Sequence, residues 1–305
     1  MSHEVIGIAG TGRVAQALGR LLHSSGEPVG VVISRNAARA HAAAAFIGPG
    51  VEAVRYGEVP LEVTRLLIAV PDDAIAAVAL ALAQNGMKEG AAVHTCGAYG
   101  TEVLAPLAVR GVACATLHPL QTVSSPEHGV AALRGCAFAI SGTGRGAVWA
   151  GQIVELLGGR SLAVRPDGKA AYHAGAVMAS NYVIALIEAA LGLMETAGVS
   201  PEDALPALGP LIRNSVENAL REGPVGALTG PIERGDVRTV AAHMNALHAA
   251  CVPAEIVELY RVAGTFTLRI ARRRGLSVDL ANQLEGLLKR RDERHGESNK
   301  NDSRT

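Results

Sequence analysis

The spacing of hydrophobic and polar positions divides the chain into two parts of different type. Up to about residue 166, short apolar runs alternate with longer segments in which apolar residues recur every three or four positions. The short runs are typical of strands buried on both faces, and the longer segments are typical of helices packed on a sheet. This alternation predicts βαβ crossovers and a doubly wound, mostly parallel sheet with helices on both sides.

The predicted elements of this α/β part follow from the pattern. Strands are predicted over 4–9, 28–34, 51–56, 65–70, 91–95, 111–117, 137–141 and 161–164. Helices are predicted over 13–24, 36–45, 72–84, 101–109 and 147–157. Asp72 or Asp73 is expected to cap the third of these helices, because a carboxylate there can accept hydrogen bonds from the first unpaired amides.

The rest of the chain predicts helices without further strands. They are expected over 169–197, 202–221, 236–251, 254–274 and 278–291. The residues after 291 are almost all polar or charged, a composition typical of a disordered segment. We therefore predict an α/β domain over 1–166, an all-helical domain over 167–291 and a disordered tail over 292–305.

The first predicted strand leads through a glycine-rich turn directly into a helix. The turn has the spacing GxGxxA, in which Gly10 permits the tight turn, Gly12 lets the backbone approach a pyrophosphate, and Ala15 keeps helix and strand close. The helix N-terminus adds unpaired amides that favour an anion. This segment predicts a dinucleotide-binding loop. Its predicted contacts are Gly10, Thr11, Gly12, Arg13 and Val14.

The end of the second predicted strand indicates which dinucleotide is bound. NAD sites usually place an acidic residue there for the ribose 2′-hydroxyl. This chain has Ser34, Arg35 and Asn36 instead, with no carboxylate. Ser34 and Asn36 can donate hydrogen bonds, and Arg35 can pair with a 2′-phosphate, an interaction of about 1.5–3 kcal/mol. NADP is therefore the predicted cofactor, although Arg35 alone is also compatible with a solvated strand end.

Further candidate site residues follow other predicted strands, at the edge where open α/β sheets bind their ligands. Val70 and Pro71 follow the fourth strand and are predicted to line the cofactor. His118 follows the sixth strand, and a histidine can exchange a proton near neutral pH. We predict that His118 is catalytic; the alternative is a structural histidine bonded to a loop carbonyl.

The first long helix of the second part carries polar residues within an apolar sequence. Lys169 and His173 are four residues apart and share a face, whereas Asn181 lies about 120° around the helix from Lys169. Buried polar groups need partners, which either a substrate or another helix can provide. Lys169, His173 and Asn181 are therefore further catalytic candidates.

A loop at 227–236 interrupts the helical part. Its Thr229 and Arg234 either bind a substrate carboxylate or only hold the loop, and Asp236 most simply caps the next helix. The formal net charge is zero and aromatic residues make up 3% of the chain, so neither nucleic acid nor an anionic membrane is indicated as a partner. No spacing of potential ligands indicates a metal site.

The most apolar stretch, 174–194, contains Asn181 and Glu188, so we expect a buried helix rather than a membrane span. The N-terminus enters a strand pattern without the apolar segment of a signal peptide. These features predict a soluble, cytoplasmic protein.

Several motifs together resemble a bacterial family in which a Rossmann domain is joined to a helical domain of unknown function, the DUF2520 type. The matching segments are GIAGTGRVA, LLIAVPDDAI, VHTCGAYG, TLHPLQT, KAAYHAGAVMASN and ALTGPIERGD. Members of the family usually have serine where this chain has Cys96. In plan the family is similar to pyrroline-5-carboxylate reductase, ketopantoate reductase, prephenate dehydrogenase and 6-phosphogluconate dehydrogenase.

The resemblance implies a helical domain, like the C-terminal domain of 6-phosphogluconate dehydrogenase, that covers the nicotinamide and forms a homodimer. His118 and Pro119 match the catalytic His-Pro of prephenate dehydrogenases. Lys169 and Asn181 resemble the Lys and Asn of hydroxyacid dehydrogenases, which are four apart there and twelve apart here. The Thr229–Gly235 loop looks like the substrate loop of pyrroline reductases, without its Ser-Pro-Gly-Gly.

The expected activity is hydride transfer between NADP(H) and a small oxo- or imino-acid, with a ketopantoate-type keto acid as the first candidate. In this hypothesis His118 or Lys169 handles the proton, Asn181 orients the substrate and Arg234 holds its carboxylate. Two alternatives are a non-catalytic, NADP(H)-binding redox sensor and a helical dimer with a vestigial nucleotide fold.

Overall fold

A computed structural model describes residues 4–249 and 252–289. Contacts between Cα atoms divide the chain into two compact units, Met1–Tyr182 and Val183–Thr305. The boundary predicted from the sequence, at residue 166, lies earlier. The reason for the difference is that the helix following it bonds to the sheet, with the Lys169 side chain donating to Thr116. The separate functions assigned to the two domains stay a prediction.

The first unit is built on an eight-stranded sheet in the order β3-β2-β1-β4-β5-β6-β7-β8. The strands are β1 Val5–Ala9, β2 Val29–Ile33, β3 Glu52–Val54, β4 Val63–Ile68, β5 Ala91–His94, β6 Ala113–Pro119, β7 Ala137–Gly142 and β8 Arg160–Ala163. Neighbouring strands are parallel except β6 and β7, which are antiparallel. The doubly wound, mostly parallel sheet is therefore confirmed.

Helices cover both faces of this sheet. They are α1 Arg13–Ser24, α2 Ala37–Ile47, α3 Ile75–Gln84, α4 Ala105–Ala108, α5 Pro126–Ala132, α6 Gly144–Leu156 and α7 Lys169–Ala179. Buried residues of α1, α2 and α6 pack in one apolar cluster, and those of α3 and α4 pack in another. Because both faces are covered, the strands are apolar on both sides, which explains their continuous hydrophobic runs.

Three predicted helices differ from the structure. Asp72 and Asp73 do not cap α3; they form a 3-10 turn, Asp72–Ala74, and α3 begins at Ile75 without a side-chain cap. The helix predicted over 101–109 is a 3-10 turn, Thr101–Leu104, followed by the short α4. The helix predicted over 169–197 is interrupted at Ser180, whose φ of −123° and ψ of −76° are not helical.

The second unit, in the part that the structure describes, is helical. Its helices are α8 Asn181–Thr196, which begins at the end of the first unit, α9 Pro201–Ala227, α10 Val237–Ala249, α11 Ala254–Arg273 and α12 Val278–Lys289. Buried Val240, Leu268 and Leu284 form the centre of its core. The predicted tail, 292–305, lies outside the described residues.

The apolar helix α8 is not buried within the chain. None of its residues is buried, so the expectation of a buried helix is wrong for the single chain. The helical stretch Pro166–Thr196 is long and apolar enough to cross a membrane by length and composition, which is weak evidence by itself. An exposed apolar helix needs another explanation, and a contact with a second molecule is one.

Candidate active site

The turn between β1 and α1 has the backbone that a phosphate-binding loop requires. Gly10 has φ +128°, and a Cβ atom there would lie 2.2 Å from the carbonyl oxygen of Ala69. Only glycine fits such a position. Gly12 has an ordinary φ of −74°, and a Cβ atom there would meet no atom within 4 Å. The space above Gly12 is therefore open, at the end of a helix whose first amides lack intrahelical acceptors.

Side chains around this turn hold its shape. The Gln16 side-chain amide donates to the carbonyl oxygen of Thr11 at 2.9 Å, and Arg13 donates to the carbonyl oxygen of Ser124 at 3.1 Å. Val70 lies beside the turn, because its Cγ1 atom is 3.4 Å from the position of a Cβ on Gly10. Pro71 follows Val70 and is exposed. The predicted loop contacts and the wall residue Val70 thus lie together at the ends of β1 and β4.

The segment after β2, residues 34–36, contains the positively charged Arg35 and no acidic residue. The Asn36 side-chain oxygen accepts from the amide of Arg39 at 2.9 Å and caps α2, while the Ser34 hydroxyl accepts from the amide of Asn36 at 3.2 Å. Arg35 is exposed. Burial raises the pKa of Tyr56, and the charge of Arg35 partly opposes this rise. Arg35 therefore remains available for a phosphate, whereas Asn36 has only its amide hydrogens to offer.

Several polar side chains lie close together at the carboxyl ends of β5 and β6, where α7 packs on the sheet. His118 Nδ1 is 2.8 Å from the Tyr172 hydroxyl, and the His118 and His173 rings are 5.8 Å apart. Lys169 Nζ donates to Thr116 Oγ1 at 2.9 Å. We call these five residues the His-Lys cluster. It brings together three predicted catalytic residues, namely His118, Lys169 and His173.

Lys169 is deeply enclosed, with only 3% of its surface exposed. Burial lowers the pKa of Lys169, and the charge of the Glu102 carboxylate opposes the change. Its partner Thr116 also accepts from the amide of Ser141 at 3.1 Å. An ammonium group has three donors, and the described residues provide one acceptor for them, the Thr116 hydroxyl. The position is suited to a lysine that meets an anionic or oxygen-bearing ligand.

His118 is neutral at pH 7. Burial is the main cause that lowers the pKa of His118 to about 4, and the nearby His173 and Lys169 lower it further. Asp72 opposes this shift, and His94 adds a smaller lowering. A neutral imidazole has one N–H donor and one nitrogen acceptor, so its function depends on which nitrogen carries the proton.

His94 is a structural residue that holds the loop after β5. Its Nδ1 accepts from the amide of Cys96 at 3.2 Å, so the proton is on Nε2, which donates to the carbonyl oxygen of Gly100 at 2.8 Å. Burial lowers the pKa of His94. The loop brings Gly97 against the cluster, where a Cβ atom would lie 2.8 Å from His118 Nε2 and 2.8 Å from His173 Cδ2.

Cys96 lies in the same loop, two residues after the end of β5. It is buried, its Sγ accepts from the amide of Ala98 at 3.3 Å, and burial raises the pKa of its thiol. The Asp72 carboxylate raises the pKa of this thiol further. Cys96 is thus a protonated thiol that maintains the loop.

The other predicted site residues are not part of the cluster. Asn181 is exposed and follows the break at Ser180, so it does not continue the face of Lys169. Thr229 and Arg234 are exposed residues of the second unit. Asp236 caps α10 by accepting from the amide of Thr239 at 3.0 Å, as predicted. Arg274 donates to the carbonyl oxygens of Val225, Gly226 and Leu228 and forms an ion pair with Glu233. These contacts hold the loop at 227–236.

Sequence analysis missed Tyr172, Thr116 and Gly97. A signal for Thr116 was present, because it is two residues before His118 and therefore on the same face of a strand. Tyr172 and Gly97 had none, since their contacts depend on how α7 and the loop after β5 pack on the sheet. Within residues 4–249 and 252–289, no group of three or more His, Cys, Asp or Glu residues is arranged to hold a metal ion.

The low pKa of His118 predicts how stability depends on pH. The unfolded chain binds a proton near pH 6.5 and the folded chain only near pH 4, so between these values the unfolded state holds more protons. The free energy of unfolding should therefore fall as the pH drops through this window, by at most about 1.4 kcal/mol per pH unit from this residue. Urea unfolding at pH 5 to 7 measures the slope. In the variant His118→Gln the free energy of unfolding should change less steeply with pH, and the remaining slope should include the contribution of His94. Equal slopes for the variant and the unmodified protein would contradict the lowered pKa of His118.

Two family models match the chain, one in each part. Residues 2–119 match the model of the Rossmann-like domain, and residues 136–267 match the model of a domain of unknown function, DUF2520. These matches confirm the resemblance indicated by the sequence motifs. No match to a curated protein was found.

Solved structures share this fold. A candidate NADP oxidoreductase from Bacteroides fragilis has 20% identity and a TM-score of 0.69, over 90% of this chain and 100% of its own. A protein from Thermotoga maritima has 23% identity and a TM-score of 0.70, over 88% of this chain and 99% of its own. A reductive aminase from Aspergillus terreus, in complex with NADPH and ethyl-5-oxohexanoate, has 16% identity and a TM-score of 0.57, over 93% and 92% of the two chains. At these identities the likeness concerns the fold.

Proposed function

We propose that this chain, in which a Rossmann-like domain precedes a DUF2520 domain, is an NADP-dependent oxidoreductase that acts on the carbonyl or imine group of a small oxo- or imino-acid. Two features at the ends of strands in the same sheet carry the proposal. Open space lies over Gly12, after β1, and the cluster with His118 and Lys169 lies at the ends of β5 and β6. Dinucleotide and substrate sites occupy this edge in open α/β folds. Bound NADPH supplies a hydride.

The residues present fit this cofactor. Gly10 and Gly12 leave room for a pyrophosphate at the α1 amides, and Arg35 offers a cation to a 2′-phosphate with no acidic residue among 34–36. The candidate NADP oxidoreductase and the NADPH-bound reductase of the same fold support the choice. His118 or Lys169 would then handle the proton, and Arg234 and Thr229 remain candidates for holding a substrate carboxylate.

Substrate class follows from the charges at the site. Among the residues that the structure describes, the acceptor of the buried Lys169 side chain is one hydroxyl, which favours a ligand with a carboxylate or a carbonyl that gains negative charge. A ketopantoate-type keto acid is the first candidate. Because the Aspergillus terreus neighbour is a reductive aminase, cyclic imines and keto acids supplied with an amine belong in the same panel.

The direct test measures binding and turnover separately. Calorimetric titration with NADPH and NADH measures binding, and stopped-flow fluorescence follows NADPH oxidation with keto acids, cyclic imines and keto acid–amine mixtures. We expect tight NADPH binding and oxidation by at least one carboxylate-bearing member. Tight binding without oxidation by any member would favour the non-catalytic redox sensor. Absence of binding would contradict both.

Replacing Arg35 with alanine should weaken NADPH binding and leave NADH binding unchanged. The lost charge-assisted contact of about 1.5–3 kcal/mol corresponds to a roughly 10- to 150-fold rise in the Kd for NADPH. The matched control is Arg110→Ala, because Arg110 is also exposed but follows α4. Equal losses for both dinucleotides would show that Arg35 does not select the 2′-phosphate.

We also propose that the chain forms a homodimer through its helical part. Exposed apolar side chains are numerous on α8, α9 and α11, among them Ile184, Leu211, Leu220 and Phe266. A second copy would cover them, and the zero net charge gives no repulsion against self-association. Light scattering after gel filtration should give twice the mass of the chain. A monomer that sediments with lipid vesicles would instead favour a membrane contact of the Pro166–Thr196 stretch.

A further inference from the structure

The contact between Tyr172 and His118 has a consequence for the chemistry of the site. We propose that Tyr172 is a positioning residue that keeps the single proton of His118 on Nε2, so that His118 meets its ligand as a neutral hydrogen-bond donor rather than as a base. The part of this inference that concerns a substrate rests on the proposed function. The part that concerns the tautomer concerns the free protein alone.

The direction of the hydrogen bond follows from the two groups. The Tyr172 hydroxyl lies 2.8 Å from His118 Nδ1, and the rings meet edge-on at 90° with their centroids 5.6 Å apart. A phenol is a stronger donor than acceptor, and an unprotonated imidazole nitrogen is a strong acceptor. Burial raises the pKa of Tyr172, so its proton is retained. Tyr172 therefore donates, and Nδ1 carries no hydrogen.

The other nitrogen of His118 has no protein acceptor among the residues that the structure describes. The ring edge with Nε2 and Cε1 lies against the backbone of Gly97. A Cβ atom at that position would lie 2.8 Å from Nε2, so any other residue would block the edge. The ring itself is partly exposed. The Nε2–H group is thus a directed donor without a partner.

The groups that face His118 maintain its neutral form. From α7 these are Lys169, Tyr172 and His173; from the loop after β4 it is Asp72, and from β5 it is His94. Three of them are basic, Tyr172 is a neutral donor and Asp72 is the acid, so protonation of the ring is disfavoured. Because the ring cannot take a second proton near pH 7, the tautomer decides its function.

In this arrangement Lys169 and His118 act on the same ligand atom. Thr116, which holds the Lys169 ammonium, and His118 project from the same face of β6. A cation and a neutral N–H that converge on one face favour an oxygen or nitrogen that gains negative charge. This arrangement assigns stabilisation of that charge to His118 and leaves Lys169 as the group able to release a proton.

The tautomer can be measured directly in the free protein. Two-bond ¹H–¹⁵N spectra of protein labelled at histidine distinguish a protonated from an unprotonated ring nitrogen, and the resonance lost in His118→Gln assigns the residue. We expect Nε2 protonated and Nδ1 unprotonated at pH 7. A protonated Nδ1 in the unmodified protein would overturn the inference without any variant.

The variant Tyr172→Phe removes the hydroxyl and keeps the ring. We expect a mixture of tautomers and a rise in the pKa of His118 towards its ordinary value, since the lost donor stabilised the neutral ring. With the substrate found in the panel, kcat should fall about tenfold at constant KM, the equivalent of one hydrogen bond. The control Tyr182→Phe alters an exposed tyrosine near the start of α8.

The outcomes separate this inference from the proposed function. An unchanged tautomer and pKa in Tyr172→Phe would refute the role of Tyr172 even if NADPH binds and is oxidised. Conversely, the expected spectra with no NADPH binding would support the Tyr172–His118 pair and refute the proposed function. Thermal unfolding of both tyrosine variants confirms that they are folded.

Discussion

Gly12→Val should abolish dinucleotide binding while the fold stays intact. Gly12 has an ordinary backbone conformation, and a Cβ atom there would meet no other atom within 4 Å, so we expect valine to be accommodated without strain. Its methyl groups would occupy the open space in which a pyrophosphate approaches the amides of α1. We expect the Kd for NADPH to rise at least about 100-fold, which is 2.7 kcal/mol or more. Calorimetric titration measures it, and thermal unfolding tests the fold.

Two further glycine variants make this prediction specific. Gly151→Val introduces the same side chain at another glycine with open space around it, on α6, and should leave binding unchanged. Gly10→Ala should instead destabilise the protein, because its Cβ would lie 2.2 Å from a backbone oxygen at a φ of +128°. Undiminished NADPH binding by Gly12→Val would place the phosphates elsewhere and remove the basis of the proposed function.

His118→Gln should reduce turnover about 10²- to 10³-fold with little change in NADPH binding. This range is typical for the loss of one directed donor that stabilises developing charge. Glutamine keeps a polar side chain of comparable reach next to Tyr172, so the fold should be maintained. Single-turnover stopped-flow measurements with the panel substrate give the rate of the hydride step, and calorimetry gives the Kd for NADPH.

The control for His118→Gln is His41→Gln, an exposed histidine on α2. Comparison with Lys169→Met separates the two candidate proton-handling residues. If His118 is a neutral donor, its variant should lower the rate at all pH values, whereas loss of Lys169 should remove an ionisation from the pH–rate profile. A rate for His118→Gln equal to that of the unmodified protein would exclude His118 from the chemistry.

Much of the sheet was predictable because its signals are local. Apolar runs located most of the strands, although β3 and β8 are short and of mixed polarity, and the GxGxxA spacing located the turn at Gly10 and Gly12. The sequence also contains a signal for α5 that was overlooked: Ser125 precedes Pro126, and its hydroxyl accepts from the amide of His128 at 3.1 Å. The prediction of one continuous helix was wrong at Ser180. The apolar pattern continues through the break there, and no glycine or proline marks it.

The amino-acid sequence by itself determined where the strands lie along the chain, the phosphate-type turn and the absence of an acid after β2. Each depends on residues close together in the chain, where spacing and side-chain chemistry suffice. Only the tertiary structure decided that Tyr172, 54 positions from His118, sets the proton of that ring, and that Thr116 accepts from Lys169, 53 positions away. Such contacts arise where α7 packs against β6, and no local pattern encodes them.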